Sequence, residues 1–159
     1  MAIDITKGSH AVAFPSKLLA QNGGKHIYNV KLSTAADNGC IIARGDWEDF
    51  DRYAEAAPTS FAAIVQEQAS NGNWYVEVVT PSDALLVYQV PISPYSTKEF
   101  RDDSLFYNAA GDTVRAYELA VGDIFEVSDA AFSATGATPK VGSTISSIAS
   151  KKMVAVDPQ

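Results

Sequence analysis

Four carboxylates, Asp46, Glu48, Asp49 and Asp51, form the densest acidic cluster of the chain. Oxygen ligands hold hard cations such as calcium, so this is the first place to look for metal chemistry. The spacing departs from a calcium loop, which sets its ligands at alternate positions around a central Gly. The same residues suit a helix start. Asp46 is a good N-cap, and Glu48 and Asp49 put charge where the helix dipole favours it. Arg44-Gly45-Asp46 is a cell-adhesion tripeptide that recurs by chance in many proteins. His10 and His26 have no Cys, Asp or Glu beside them at ligand spacing, and they read as solvated or backbone-bonded. A catalytic histidine needs an orienting partner and a nucleophile, and no GxSxG, HExxH or Cys/His pattern occurs. Cys40, followed by Ile41 and Ile42, reads as a small buried hydrophobe. Gly23-Gly24-Lys25 lacks the first Gly and the Ser/Thr of a phosphate loop, and reads as a hinge.

The aromatic residues are the remaining chemistry. Trp47, Trp74, Tyr75, Tyr88, Tyr107 and Tyr117 could stack on sugars or bases. Most are expected in a core or on a sheet face, with a minority at a protein interface, where Tyr and Trp are enriched. The side chains thus point to a non-enzymatic protein with no metal and no cofactor.

The elements that must position them are set by a chain of 159 residues, 47% of them hydrophobic, carrying 12 Lys+Arg against 19 Asp+Glu for a net charge of −7. That length favours one domain, or one domain with an arm. The acidic balance argues against a nucleic-acid partner, because phosphates need cations. A single Cys excludes an internal disulfide. The start Met1-Ala2-Ile3-Asp4 lacks the basic and then apolar order of a signal peptide. The longest apolar stretch, from Ala84 to Tyr88, falls far short of the roughly 20 residues that span a bilayer. Synthesis in a cytoplasm and no membrane partner are therefore expected.

Residues 1–26 differ from the rest. They lack a sustained period, yet include the apolar residues Ile3, Ile5, Val12, Phe14, Leu18 and Leu19. Two readings stay open: the segment packs on its own domain, or it is an extended arm that orders on a partner. The domain organisation is then an N-terminal arm over 1–26 and a β body over 27–159. Residues 27–32 and 40–43 read as strands of a hairpin joined through Asp37-Asn38-Gly39. Asp46, the spacing of Trp47, Phe50 and Tyr53, and Pro58 predict a helix over 47–57. Beyond it the pattern is β. Strands are expected at 61–68, 74–79, 85–90, 105–107, 113–119, 123–127, 141–145 and 153–156, with Ser70-Asn71-Gly72-Asn73 a hairpin turn and 128–132 a single helical turn. Another helical turn is expected near 98–101. Val121-Gly122-Asp123 is echoed by Val141-Gly142-Ser143, as recurring turns would be. The fold class is mainly β, a small barrel or sandwich with one short helix and an extended N-terminal arm.

The run Leu105-Phe106-Tyr107-Asn108-Ala109-Ala110-Gly111-Asp112-Thr113-Val114-Arg115-Ala116-Tyr117-Glu118-Leu119, continuing through Val121-Gly122-Asp123-Ile124-Phe125-Glu126-Val127-Ser128, combines with Leu32-Ser33-Thr34-Ala35-Ala36-Asp37-Asn38-Gly39 and Gly45-Asp46-Trp47. Over about 30–145 this texture resembles the head (capsid) decoration, or cement, proteins of tailed bacteriophages. The resemblance implies a structural protein on the capsid exterior of a virion. Its partner would be the major capsid protein, and itself in a small homo-oligomer. The apolar residues Ile3, Ile5, Val12, Phe14 and Leu18 of the arm would then be interface candidates, since an arm can lay a strand along an exposed sheet edge. A head-fibre base or tail component, and a carbohydrate-binding β domain using Trp47 and the acidic cluster, are the alternatives.

Overall fold

The computed structural model describes residues 2–3, 10–15, 27–49, 51–91 and 103–159. Among them run thirteen strands: β1 (Ala2–Ile3), β2 (Ala13–Phe14), β3 (Ile27–Lys31), β4 (Ile41–Glu48), β5 (Arg52–Ala56), β6 (Ala62–Gln68), β7 (Trp74–Thr80), β8 (Ala84–Val87), β9 (Phe106–Tyr107), β10 (Thr113–Glu118), β11 (Ile124–Val127), β12 (Thr144–Ala149) and β13 (Lys152–Val156). Five of them close a barrel in the order β10-β3-β5-β4-β8, and six form a second sheet in the order β13-β12-β6-β7-β11-β2. The short pair β1–β9 stands apart. The chain is mainly β, as expected from its many short strands separated by turn residues.

Two apolar cores follow from strand alternation. Val30, Leu32, Cys40, Ile42, Leu85, Val87, Val114 and Ala116 fill the barrel. Ile41, Ala84 and Leu86 face the other way and join Val65, Val76, Phe125, Val127, Ile145 and Met153 between the barrel and the six-stranded sheet. β8 is therefore buried on both faces, which is why Ala84-Leu85-Leu86-Val87 reads as an unbroken apolar run.

Four turns share one construction. Gly39, Gly111, Gly122 and Gly142 have φ of 88°, 86°, 89° and 87°, the left-handed region that glycine enters without steric cost. In each, the residue after the Gly donates its N–H to the carbonyl three positions back. In three, the side chain of that residue accepts in return: Asp112 Oδ2 from Ala109 N–H at 3.0 Å, Asp123 Oδ2 from Ala120 at 2.8 Å, and Ser143 Oγ from Lys140 at 3.0 Å. The Gly N–H and the next carbonyl then grip one residue of a neighbouring strand or strand end, respectively Val87, Leu32, Val78 and Val65. The echo of Val121-Gly122-Asp123 in Val141-Gly142-Ser143 is this device, and it explains why Asp123 and Ser143 are buried polar residues.

Three expectations change. The described residues of 47–57 form no helix: β4 and β5 make an antiparallel hairpin, with Trp47 opposite Tyr53 and Glu48 opposite Arg52. Positions that share a helix face at short spacing also meet across a tight hairpin. Asp51 turns the chain at φ 55°, a conformation that Asp tolerates better than most residues. Asp46 is thus an exposed strand residue and not an N-cap. The helical structure described is confined to short 3-10 turns at Asp103–Leu105 and Asp129–Ala131; the second falls within the turn expected over 128–132. The expected hairpin of 27–32 with 40–43 is also absent: β3 pairs with β10 and, in parallel, with β5, while β4 pairs with β5 and β8. Parallel pairing of strands separated by a third has no signal in local turn chemistry. The helical turn expected near 98–101 lies outside the described residues.

Candidate functional site

One end of the barrel carries a cluster of aromatic and charged side chains. Tyr28 on β3 and Tyr53 on β5 pack against the barrel core and meet edge to face, with ring centroids 5.8 Å apart. Parallel pairing of Val30 with Tyr53 is what brings the two rings together. The guanidinium of Arg44 lies over both, 4.6 Å from the Tyr28 centroid and 4.8 Å from that of Tyr53, at cation–π distance. Between Arg44 and Trp47 the β4–β5 ladder shifts register. Gly45 sits in that shift, where a Cβ would come within 3.0 Å of the Ala54 carbonyl oxygen. The irregularity re-aims Trp47, whose indole meets the Tyr53 ring edge-on at 5.3 Å and stays 58% exposed.

Charge frames the cluster. Glu48 lies 3.4 Å from Arg52 and 3.9 Å from Lys31. Tyr28 donates its hydroxyl proton to Glu118 at 3.2 Å, and burial together with that carboxylate pushes the phenol's pKa up. Glu55, opposite Arg44 on the ladder, accepts from Ser33 N–H (2.8 Å) and Ser33 Oγ (3.0 Å), and pairs with Lys151 at 2.8 Å. Burial alone would raise the Glu55 carboxyl, but Lys151 and Ser33 outweigh it and hold it below the usual carboxylate range. Beside the patch a shallow cavity of about 340 Å³ is lined by Trp47, Glu48, Asp49 and Arg52. Such a surface can grip a partner by stacking and by charge.

The acidic cluster gathers no metal site: among the described residues no three His, Cys, Asp or Glu side chains converge to hold an ion. Cys40 is buried, and burial, with the Asp37 carboxylate adding to it, pushes its thiol up to about 11. His10 departs from expectation, because its Nδ1 lies 2.6 Å from Asp37 Oδ1 and its ring stacks on Tyr107 at 4.7 Å. Asp37 Oδ2 also accepts the Ala11 N–H at 3.0 Å and lies 3.6 Å from Lys152. The carboxylate therefore ties residues 10 and 11 to the body. His10 also borders a cavity of about 420 Å³ that includes Ser104, Ser128 and Asp129. Trp74 donates to Asp129 there at 2.6 Å.

The arm candidates separate. Val12 is half-buried and exchanges bonds with Ser128, donating to its Oγ at 3.0 Å and accepting from its N–H at 2.9 Å. Phe14, also half-buried, sits opposite Glu126 on the sheet edge, and Ala11 and Ala13 beside them belong to the core. Residues 10–15 thus pack on their own domain. Ile3 lies in β1, paired with Phe106. Ile5, Leu18, His26 and Gly23-Gly24-Lys25 fall outside the described residues. Sequence reasoning singled out Trp47 but passed over Tyr28, Tyr53 and Arg44 as a unit. Their union depends on the parallel β3–β5 pairing, which no local motif announces.

No helix among the described residues is long and apolar enough to cross a membrane. No family model matches the chain, and neither a curated protein nor a solved structure matches it.

Proposed function

We propose that this chain is a non-enzymatic structural protein of a phage virion that binds the outside of the capsid and stabilises it, with the major capsid protein as partner. The observation that carries the binding role is the exposed pair Arg44 and Trp47, seated on the half-buried rings of Tyr28 and Tyr53 on a closed barrel. Trp, Tyr and Arg are the residue types that concentrate binding energy at protein interfaces. A barrel closed by its own ladders presents them on a rigid base, which lowers the ordering cost of association. The choice of a capsid as partner rests on the sequence resemblance.

The test adds the purified chain to empty capsids and compares binding and survival under heat or osmotic shock with and without it. Saturable binding at many copies per shell, with a raised survival temperature, is the expected result. Trp47→Ala should weaken attachment about thirtyfold, the loss of an interface hot spot worth about 2 kcal/mol. No binding and no change in survival would overturn the reading. A few copies at one vertex or at the tail would replace it with a fibre-base or tail role.

A second reading is favoured by the cavity against Trp47, Glu48, Asp49 and Arg52. An indole beside carboxylates and a guanidinium is a composition that takes a sugar ring. Binding of neutral oligosaccharides abolished by Asp49→Ala, with capsids ignored, would select it.

A further inference from the structure

Arg44 is held but not neutralised. Two tyrosine rings fix its guanidinium, yet among the described residues its side chain makes no ion pair or hydrogen bond. Nearby carboxylates are engaged elsewhere. Glu55 serves Lys151 and Ser33, Glu48 faces Arg52 and Lys31, and Glu118 accepts from Tyr28. Asp46, two residues on, forms no ion pair with Arg44. The two rings stand at 87° to one another, so the guanidinium lies flat on at most one of them, and its planar set of N–H donors matches the geometry of a carboxylate. Next to it the exposed Trp47 indole offers an apolar face, bridged to Arg44 by the shared Tyr53 ring.

We propose that this patch is a receptor for a protein segment presenting a carboxylate beside an apolar side chain, the carboxylate entering the Arg44 fork and the apolar group covering Trp47. The proposal rests on the capsid reading and names the chemistry that the capsid surface must supply. Charge complementarity selects the occupant. Among the described residues Arg44 makes no ion pair, so a single carboxylate is complementary to the patch at that point, whereas the net charge of −7 disfavours an acidic surface elsewhere. Arg44 therefore acts as a registration point, admitting an acid at one position and rejecting it around the rim, where Asp46, Glu48 and Asp49 stand.

The experiment measures the affinity of the full chain for intact empty capsids, untreated and after carbodiimide amidation of their surface carboxylates, with Arg44→Gln, Arg44→Lys and Trp47→Ala alongside. Untreated capsids should bind the wild type. Amidated capsids and Arg44→Gln should each bind at least tenfold more weakly. Arg44→Lys should lose nearly as much, because Lys keeps the charge but not the fork. Equal affinity for amidated and untreated capsids, or an Arg44→Gln chain within twofold of wild type, overturns the inference and leaves the capsid reading standing. Failure of the wild type on untreated capsids overturns the capsid reading and the inference with it. If Arg44→Gln fails to fold, the amidation arm with wild-type chain decides alone. Arg44-dependent binding of oligogalacturonate in place of capsids would assign the fork to an acidic glycan and overturn the protein partner.

Discussion

Replacing Lys151 by Met tests how much of the hold of the β12–β13 hairpin on the barrel runs through the Lys151 ammonium, beside the Lys152–Asp37 pair and the Ile41 N–H bond to the Lys151 carbonyl. Lys151 sits at the hairpin tip with φ 68°, following Ser150 at φ 51°. Its Nζ donates to the Thr34 carbonyl at 2.8 Å and lies 2.8 and 3.0 Å from the two Glu55 oxygens. The side chains are only 15% and 9% exposed. Breaking a fully buried pair by removing one partner costs about 3–5 kcal/mol, and hydrogen bonds to charged groups are worth about 1.5–3 each. Residual water access and the two surviving Ser33 donors to Glu55 place this loss lower, at about 2–3 kcal/mol. For a chain of this size that corresponds to a fall in Tm of about 5–10 °C. Urea unfolding should show a lower midpoint at unchanged slope. A double-mutant cycle with Glu55→Gln should give a coupling of about 1 kcal/mol or more. The pair also sets a pH dependence. Because the folded Glu55 carboxyl lies below its unfolded value, its contribution is complete above the usual carboxylate range and fades as pH falls through the folded value. Lys151→Met should flatten that acid limb. A destabilisation under about 0.5 kcal/mol, the size of an ordinary surface change, or strict additivity in the cycle, would refute the reasoning.

Further outcomes follow from the same geometry. Asp46→Ala should leave the free energy of urea unfolding within about 0.5 kcal/mol of wild type, since Asp46 is exposed on a strand; a loss near 1 kcal/mol would restore the capped helix. Cys40 should resist a thiol reagent at pH 8 in the folded chain and react at once in denaturant, because the buried group stays protonated up to about 11. Gly136→Ala should cost about 1–3 kcal/mol in urea unfolding, as its Cβ would lie 2.8 Å from the Ala155 carbonyl and 2.9 Å from the Val154 side chain.

What the sequence made legible was local. Trp74 to Val79 alternates and turns at Asn71-Gly72, and the strand lies there with Gly72 at φ 90°. The apolar run around Leu85 is a strand buried on both faces. What stayed hidden was pairing between distant segments. Trp47, Phe50 and Tyr53 have helical spacing, and the pairing of β5 with β3 and of β4 with β8 favours the hairpin. The candidate site inherits that difficulty. Arg44 looked like part of a chance tripeptide because its partners, Tyr28 and Tyr53, reach it through tertiary structure. Asp37 became the partner of His10 from 27 residues away.

The four glycine turns bear on how quickly such a chain can find its fold. Ladders such as β2 with β11 and β3 with β10 join opposite ends of the sequence, a topology that ordinarily folds in milliseconds to seconds. Each turn, by contrast, closes over four residues and can form while the rest is still searching. Once closed, it holds out one N–H and one carbonyl at fixed spacing, so the first distant strand residue to arrive, Leu32, Val65, Val78 or Val87, is seated in a single register. The turns convert a search over many slipped alignments into one over a few prefabricated docking points, and a one-residue slip, which would send every side chain of a strand to the wrong face, is penalised at the moment of first contact.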